Sequence, residues 1–441
     1  MSFKHHDEAR ADAVAALIQW LRGHAESRVV LIDDLYGKYR LILWLGKHAG
    51  AEEAGSVKAA LAEATGSYWS DEIWVVTAET SKVDQQVYDG AWEEGKAHPD
   101  EPRLRIVDRV RNRVAWFGEL CEPPWKPERA AGSNQPPIVV FYSFKGGVGR
   151  TTCLASFALR RALAGERVAV VDGDLDAPGI GNLLCPDGSG AGARWGVADY
   201  LLERPAPGAV DLGDYYHALR RETVAAKGGE ILVFPAGTVN GAYLGKLARV
   251  DFDPTDAGLP LPWPEFLNHI RGELKPHWIL LDSRAGLGEP AGLLVSGVAH
   301  LHVLFGTGSE QSWQGLELVL ERLGGDRVRA GKPQAGCLLV QAMLPETISV
   351  AQVAKEQFNA RAEDEFEDHY YAEDPDGDGD DSMWYVRDSS GKDAPHRAVP
   401  ISYRQSLAHF ERLDDIVPVL MGEEYELLER RIFERFLEDA E

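Results

Sequence analysis

The fold is decided by residues 137–152, which read P-I-V-V-F-Y-S-F-K-G-G-V-G-R-T-T. The apolar run at the start is typical of a strand that is buried on both faces of a parallel sheet. A glycine-rich turn follows, and the stretch from Thr152 to Leu163 predicts a helix. A strand, a glycine-rich turn and a helix in this order form the setting of a phosphate-binding loop.

The predicted nucleotide-binding residues all lie in this loop. They are Lys145, Gly146, Gly147, Val148, Gly149, Arg150, Thr151 and Thr152. Glycines let successive backbone N–H groups turn toward one phosphate. Thr151 is placed to give its hydroxyl to Mg²⁺, and Thr152 is placed to give its hydroxyl to a phosphate oxygen.

The loop departs from the strict pattern G-x-x-x-x-G-K-[ST] at two positions. Phe144 stands at the first glycine and Arg150 at the lysine. Arginine keeps a permanent charge and a forked set of donors, so we expect phosphate binding to survive. Because its shape differs from that of lysine, we expect the catalytic geometry to change.

Further apolar runs predict strands of the same sheet, and helical stretches separate most of them. This alternation predicts an α/β fold with a mostly parallel sheet that is flanked by helices on both faces. The runs are residues 167–171, 231–234, 278–281, 301–305 and 336–340.

Acidic residues follow two of these strands. Residues 171–176 read V-D-G-D-L-D, and residues 280–286 read L-L-D-S-R-A-G. Ligands of open α/β sheets bind outside the carboxyl ends of the strands. We therefore expect Asp172 and Asp174 to lie where a ligand binds.

The loop resembles the deviant Walker-A motif K-G-G-x-G-K-T-T of the ParA/MinD ATPases, with Arg150 at the second lysine. The resemblance covers roughly residues 137–350. It implies ATP and Mg²⁺ as ligands, ATP hydrolysis and an ATP-dependent homodimer. In this family the first lysine reaches the nucleotide of the other subunit, and Lys145 occupies that position.

The two acidic stretches resemble further family motifs. By this resemblance Asp174 orients the attacking water, and Lys145 and Arg150 complete the catalytic set. Thr151, Asp172 and Asp282 lie at the metal. Two interpretations from the residues alone stay open: Asp174 as a helix N-cap and Arg284 as a structural ion-pair partner.

Composition limits the classes of partner. The net charge is −24 over 441 residues, so nucleic acid is not indicated, although the arginines between Arg103 and Arg113 leave it open. The four separated cysteines give no metal-ligand spacing and fit a reducing compartment. With a polar N-terminus and no long apolar run, the sequence predicts a cytoplasmic protein that does not bind membranes.

Residues outside the loop domain predict a second module. Residues 1–130 read as a small α/β module of unknown role, and a proline-rich stretch places the boundary near residue 130. Residues 131–441 form the predicted ATPase domain, with an acidic insertion near residues 362–395. Residues 374–379 begin like a calcium loop, but a solvated insertion is the favoured interpretation.

Two functions follow from these observations. One is an ATP-driven dimerisation switch that controls a partner protein, bound through residues 1–130 or the C-terminal helix. The other is a nucleotide-sensing regulatory subunit with little turnover in a defence or signalling system. A bacterial tyrosine kinase, whose ATPase domain is related, is disfavoured because a membrane helix and a tyrosine-rich tail are missing.

Overall fold

The computed structural model describes residues 4–46, 51–109, 116, 120–129, 133–185, 193–203, 210–250, 262–407 and 413–437. The chain divides into two compact units, Met1–Gly118 and Glu119–Glu441. None of the described helices has the length and apolarity needed to cross a membrane. Arg111 and Arg113 of the basic run lie outside the described residues.

The first unit is a small α/β structure with one mixed sheet. The strand order is β3-β2-β1-β5-β4, in which the β1–β5 and β2–β3 pairs are parallel. Its elements are α1 (His6–Arg22), β1 (Arg28–Asp33), β2 (Tyr39–Trp44), α2 (Ala51–Thr65), β3 (Trp69–Val76), α3 (Lys82–Glu94), β4 (Lys96–His98) and β5 (Glu101–Asp108).

The apolar stripe of α1 explains how this unit buries a core. Ala9, Ala13, Leu17 and Leu21 recur at helical spacing, and all four are fully buried against one face of the sheet. In the basic run, Arg103 pairs with Glu101 in its own strand. Arg103 therefore already has an acidic partner, and Arg105 donates to the backbone carbonyls of Trp92 and Gly95.

The second unit contains the predicted phosphate loop. Its helices are α4 (Arg150–Leu163), α5 (Ile180–Leu184), α6 (Val197–Glu203), α7 (Gly241–Leu247), α8 (Pro262–Leu274), α9 (Glu289–Val295), α10 (Glu310–Leu323), α11 (Gly325–Arg329), α12 (Ile348–His369), α13 (Leu413–Leu420) and α14 (Glu423–Glu434). Its strands are β6 (Ile138–Ser143), β7 (Arg167–Gly173), β8 (His217–Leu219), β9 (Glu230–Phe234), β10 (Trp278–Ser283), β11 (Leu301–Gly306), β12 (Cys337–Leu344) and β13 (Val399–Ser402).

These strands form one sheet in the order β13-β12-β11-β6-β10-β7-β9-β8. Every pair is parallel except β8–β9, which is antiparallel. The central strands β6, β7 and β10 are buried, as their apolar runs predict. The expected α/β fold with a mostly parallel sheet is confirmed.

Helices cover both faces of the sheet. On one face, the apolar side of α4 packs with α13 and α14 in a single core that includes Phe157 and Leu428. On the other face, Phe266 of α8 contacts Phe234 edge-on. The carboxyl ends of the strands stay accessible, and this arrangement leaves them free to form a site.

The proline-rich stretch before β6 belongs to the second unit. The indole of Trp125 donates to the Pro136 carbonyl at 2.8 Å. His300 connects this stretch to the sheet, since one ring nitrogen lies 2.6 Å from the Trp125 carbonyl and the other accepts from the Ile138 N–H. The predicted boundary near residue 130 thus lies inside the second unit, which begins at Glu119.

The acidic stretch near residues 362–395 contains both a helix and ordered turns. Its first acidic residues lie on α12, which ends at His369. Further on, the Arg387 N–H donates to Asp374, and the Asp380 N–H donates to the Tyr385 hydroxyl. Over the described residues, no group of three or more His, Cys, Asp or Glu side chains gathers as a metal site would require.

Candidate nucleotide-binding site

The phosphate loop joins β6 to α4 at the carboxyl end of the sheet. Gly147 and Gly149 have φ values of 75° and 85°, which only glycine adopts without strain. A Cβ at Gly146, Gly147 or Gly149 would meet nothing within 4 Å. There is therefore open space beside these three glycines, which border the cavity next to the N-terminus of a 14-residue helix.

A cavity of about 580 Å³ opens in front of the loop. Its near wall consists of residues 146–152 with Asp174, Arg284 and Ala285. Its far wall includes Tyr403 and Arg404, which follow β13, and Tyr425 of α14, with Met343 of β12 beside them. The space is large enough for a nucleotide, with donors at one end and aromatic and apolar groups at the other.

Phe144, at the first glycine of the strict Walker pattern, is accommodated by a glycine in a facing helix. A Cβ on Gly315 of α10 would lie 2.0 Å from the Phe144 ring. The loop is also bonded to the turn after β10, because the Gly286 N–H donates to the Ser143 carbonyl at 3.1 Å. The Tyr142 hydroxyl donates to the Gly286 carbonyl. These contacts fix the base of the loop.

The predicted carboxylates meet at the ends of β7 and β10. Asp172 and Asp282 are each 1% exposed. Asp172 accepts the N–H groups of Asp174 and Gly179 through its two oxygens, so it holds the turn that follows β7. Burial raises the pKa of Asp172 well above its usual value, and the nearby charges of Asp282 and Asp174 add to this shift.

Arg150 connects two of these carboxylates. Its Nε donates to Asp282 Oδ1 at 2.7 Å, and its Nη2 donates to Asp174 Oδ2 at 3.2 Å. The side chain is buried. The sequence predicted a phosphate ligand here, and the contact with both carboxylates was missed.

Thr151 stands at the other oxygen of Asp282. Its hydroxyl donates to Asp282 Oδ2 at 2.7 Å. Burial raises the pKa of Asp282, whereas the charge of Arg150 and the Thr151 hydrogen bond oppose that shift. A hydroxyl that donates to a carboxylate keeps its lone pairs for a cation, which is the chemistry expected of a magnesium ligand.

Asp174 has a partner on each oxygen. One oxygen faces Arg150, and the other accepts the Ala177 N–H at 3.1 Å. The alternative interpretation of Asp174 as a helix N-cap is wrong, because α5 begins at Ile180 with Gly179 as its N-cap, and the bond to Ala177 lies in the turn before that helix. The same carboxyl lines the cavity in front of the loop.

The two other cations near the loop differ in their surroundings. Lys145 is exposed and is not among the residues that line the cavity. Arg284 lines the cavity and forms an ion pair with Asp176. In this structure Arg284 thus forms an ion pair, as the alternative interpretation of this residue expected.

The far wall was not predicted from the sequence. Its rigidity comes from Glu424, which accepts both the N–H and the hydroxyl of Ser402 at 3.0 and 2.6 Å. Met343 lies beside this wall at an irregular step of β12 and has a φ of 59°. A non-glycine residue in this conformation is uncommon and concentrates at functional sites.

The residues present fit a nucleotide with Mg²⁺. Open N–H groups of the loop and the helix N-terminus suit phosphates. The Thr151 hydroxyl and the Asp282 carboxylate are already paired beside them, as an oxygen-ligand site for Mg²⁺ requires. The buried carboxylates whose pKa is raised would gain from a divalent cation nearby.

No protein-family model matches the sequence. No curated protein matches it either. Among solved structures, pNOB8 ParA is similar with 17% identity and a TM-score of 0.43, over 68% of this chain and 99% of that one. The cell division ATPase MinD of Pyrococcus furiosus has 17% identity and a TM-score of 0.41, over 68% and 98%.

A putative plasmid partition protein of Borrelia burgdorferi, bound to AMPPNP, has 14% identity and a TM-score of 0.40, over 68% and 98% of the two chains. The description of the second unit does not depend on these similar structures. It rests on the strand order of its own sheet, on the loop after β6, and on the acidic residues at the ends of β7 and β10. The second unit is an α/β domain in which a glycine-rich loop joins the buried parallel strand β6 to the helix α4, and the chain is similar to solved structures of pNOB8 ParA and of the cell division ATPase MinD.

Proposed function

We propose that this chain binds ATP with Mg²⁺ at residues 145–152 and works as an ATP-hydrolysing dimerisation switch. The observation that carries the proposal is the Thr151 hydroxyl, held 2.7 Å from Asp282 beside a glycine loop that lines a cavity. A bound magnesium ion would neutralise phosphate charge and orient the transferred group.

The glycines and threonines of the loop and the nearby carboxylates have separate proposed tasks. The N–H groups of Gly146, Gly147 and Gly149 donate to phosphate oxygens, and the Thr152 hydroxyl adds a donor. Thr151 and Asp282 hold the magnesium ion, with Asp282 acting through water. Asp172 supports this arrangement by fixing the turn that carries Asp174. Asp174 orients the attacking water.

Lys145 is the proposed contact between two subunits. The local phosphates are served by the loop, and Lys145 is exposed at the start of it. Across a homodimer, each lysine would donate to the phosphates of the other subunit's nucleotide. Such a charge-assisted contact exists only in the dimer, so ATP would stabilise association by its higher affinity for that state.

The second candidate is a nucleotide-sensing subunit with little turnover. The observation that favours it is the Arg150 guanidinium, which is engaged with Asp282 and Asp174 in place of a free lysine ammonium. Partners in either case would be bound through the first unit or through α14. The rate of ATP turnover distinguishes the two candidates.

The test of the proposed site is calorimetry with ATP and Mg²⁺. Wild type should bind, and Thr151→Ala should weaken Mg²⁺-dependent binding by about 10–100-fold because a metal ligand is lost. Thr347→Ala, an exposed threonine at the start of α12, serves as the matched control and should bind as wild type does. A wild type that shows no binding would refute the site.

A further inference from the structure

The contact between Arg150 and the two carboxylates is unusual for a side chain that was expected to face phosphate. Both described hydrogen bonds of the guanidinium leave from Nε and Nη2, the two nitrogens of one edge. This edge is the fork that arginine uses for paired acceptors. Here the fork is divided between two side chains that are far apart in sequence.

The carboxylates that Arg150 connects come from different strands. Asp282 is the penultimate residue of β10, and Asp174 directly follows β7. The arginine is 9% exposed, Asp174 is 6% exposed and Asp282 is 1% exposed. At this depth the ion pairs are only weakly screened by solvent, although Arg150 and Asp174 also border the cavity.

We propose that Arg150 is a positioning residue, whose guanidinium holds Asp282 and Asp174 in place for magnesium and water rather than serving as a ligand of the phosphates. The proposal rests on the proposed function of the site. It assigns to Arg150 the support of the metal-binding and water-orienting carboxylates.

Chemistry explains why arginine suits this task better than lysine. A lysine ammonium is a point donor on a shorter stem, whereas the guanidinium donates from two separated nitrogens in one plane. Arg150 can therefore keep Asp282 Oδ1 and Asp174 Oδ2 at fixed places while Thr151 holds Asp282 Oδ2. With all three contacts made, Asp282 has a single orientation beside the hydroxyl of Thr151.

The position of Arg150 on the helix agrees with this role. It is the first residue of α4, directly after Gly149. The loop N–H groups and the helix N-terminus already offer donors to phosphate without a side-chain cation. A change at Arg150 should therefore alter the affinity for Mg²⁺ without altering the affinity for phosphate. The experiment measures these two affinities separately.

The first arm of the test uses ADP in EDTA, where only phosphate affinity is measured. Arg150→Gln together with Asp174→Asn removes the cation and one anion, so the buried charge stays balanced. We expect its affinity for ADP to lie within about threefold of wild type. A loss of tenfold or more would show that the guanidinium is a phosphate ligand and would overturn the proposal.

The second arm measures the apparent affinity for Mg²⁺ in the presence of saturating ADP. Arg150→Lys keeps the charge but loses the fork, and we expect Mg²⁺ affinity to fall by about 10–100-fold, as for lost supports of metal ligands. The matched control is Arg160→Lys, a buried arginine of the same helix that donates to the Gly422 carbonyl. It should keep wild-type Mg²⁺ affinity.

Two other outcomes have distinct meanings. Wild-type Mg²⁺ affinity in Arg150→Lys would overturn the positioning role while leaving the proposed nucleotide site intact. Absence of ADP binding in wild type would refute the proposed function itself. Equal losses in Arg150→Lys and Arg160→Lys would show a general effect of removing a buried arginine from α4, which also overturns the proposal.

Discussion

Asp172 and Asp282 lie directly opposite each other in the register of two hydrogen-bonded parallel strands, β7 and β10. Both are buried, and burial raises the pKa of each carboxyl. Asp174 adds a third acidic group, and Arg150 supplies a positive charge to two of the three. The site thus concentrates carboxyl groups, whose negative charge a magnesium ion would offset.

The first prediction concerns ligand-induced stability. ADP with Mg²⁺ should raise the unfolding temperature of the second unit by several degrees, since binding at about 100 times Kd stabilises by about 2.7 kcal/mol. The same concentration of ADP in EDTA should raise it less, because the acidic site then lacks its countercharge. Differential scanning calorimetry measures both shifts, and an equal shift in EDTA would contradict the prediction.

The second prediction is that Asp174 supports hydrolysis more than binding. Asp174→Asn keeps the shape of the side chain, so ATP affinity should stay within about threefold. Single-turnover hydrolysis should slow by about 10²–10⁴-fold, the range for loss of a group that positions or deprotonates water. Asp176→Asn is the control, since that carboxyl pairs with Arg284 outside the buried cluster.

A normal hydrolysis rate in Asp174→Asn would refute this role. A wild type that binds ATP and has no measurable turnover would instead favour the sensing function. The same single-turnover experiment measures the hydrolysis rates of both proteins, Asp174→Asn and wild type.

The third prediction is an ATP-dependent homodimer that needs Lys145. Light scattering with a non-hydrolysable ATP analogue should show a doubled mass for wild type and a monomer for Lys145→Ala, with nucleotide still bound. Moderate salt should help, because it screens the repulsion between chains of charge −24. Lys392→Ala, at another exposed lysine of the second unit, should dimerise as wild type does.

An identical dimer in Lys145→Ala would place that lysine on its own subunit's nucleotide. A wild type that stays monomeric with saturated nucleotide would refute the dimer.

The fourth prediction is a loss of stability in acid that originates at β11. Burial lowers the pKa of His302 to about 4, and burial also lowers that of His300 to about 4. The unfolded chain binds these protons at higher pH, near 6.5. Stability should therefore be fully present above pH 6.5 and decline as pH falls from 6.5 toward 4.

The expected magnitude is about 2 kcal/mol for each histidine between pH 7 and pH 5. Urea unfolding of the second unit at the two pH values measures it. His302→Asn should be less stable at pH 7 and should lose less stability on acidification. Equal losses on acidification in both proteins would contradict the assignment.

The sequence predicted the central sheet because each strand there is a continuous apolar run. The run 278–281 lies within β10 (Trp278–Ser283), for example. It missed β13, whose four residues V-P-I-S include Pro400. Proline is tolerated there because β13 is an edge strand, and no periodicity marks so short an element.

The candidate site was predictable only where its parts are local. The glycine loop and the acidic strand ends are contiguous motifs, so their meeting at one edge follows from a parallel sheet. The far wall of the cavity was not predictable, since Met343 in β12 and Tyr403 after β13 belong to no motif. The pairing of Arg150 with Asp282 was missed because a sequence does not show which of several charges a side chain will reach.

Phe144 and Gly315 constrain each other's replacement. A methyl group at residue 315 would overlap the Phe144 ring, and moving that ring would displace the start of the phosphate loop. In descendants of this chain, Gly315 should therefore be free to vary only after the aromatic side chain has been lost. The departure from the strict Walker pattern thus makes the evolution of the loop depend on a helix more than 160 residues away along the chain.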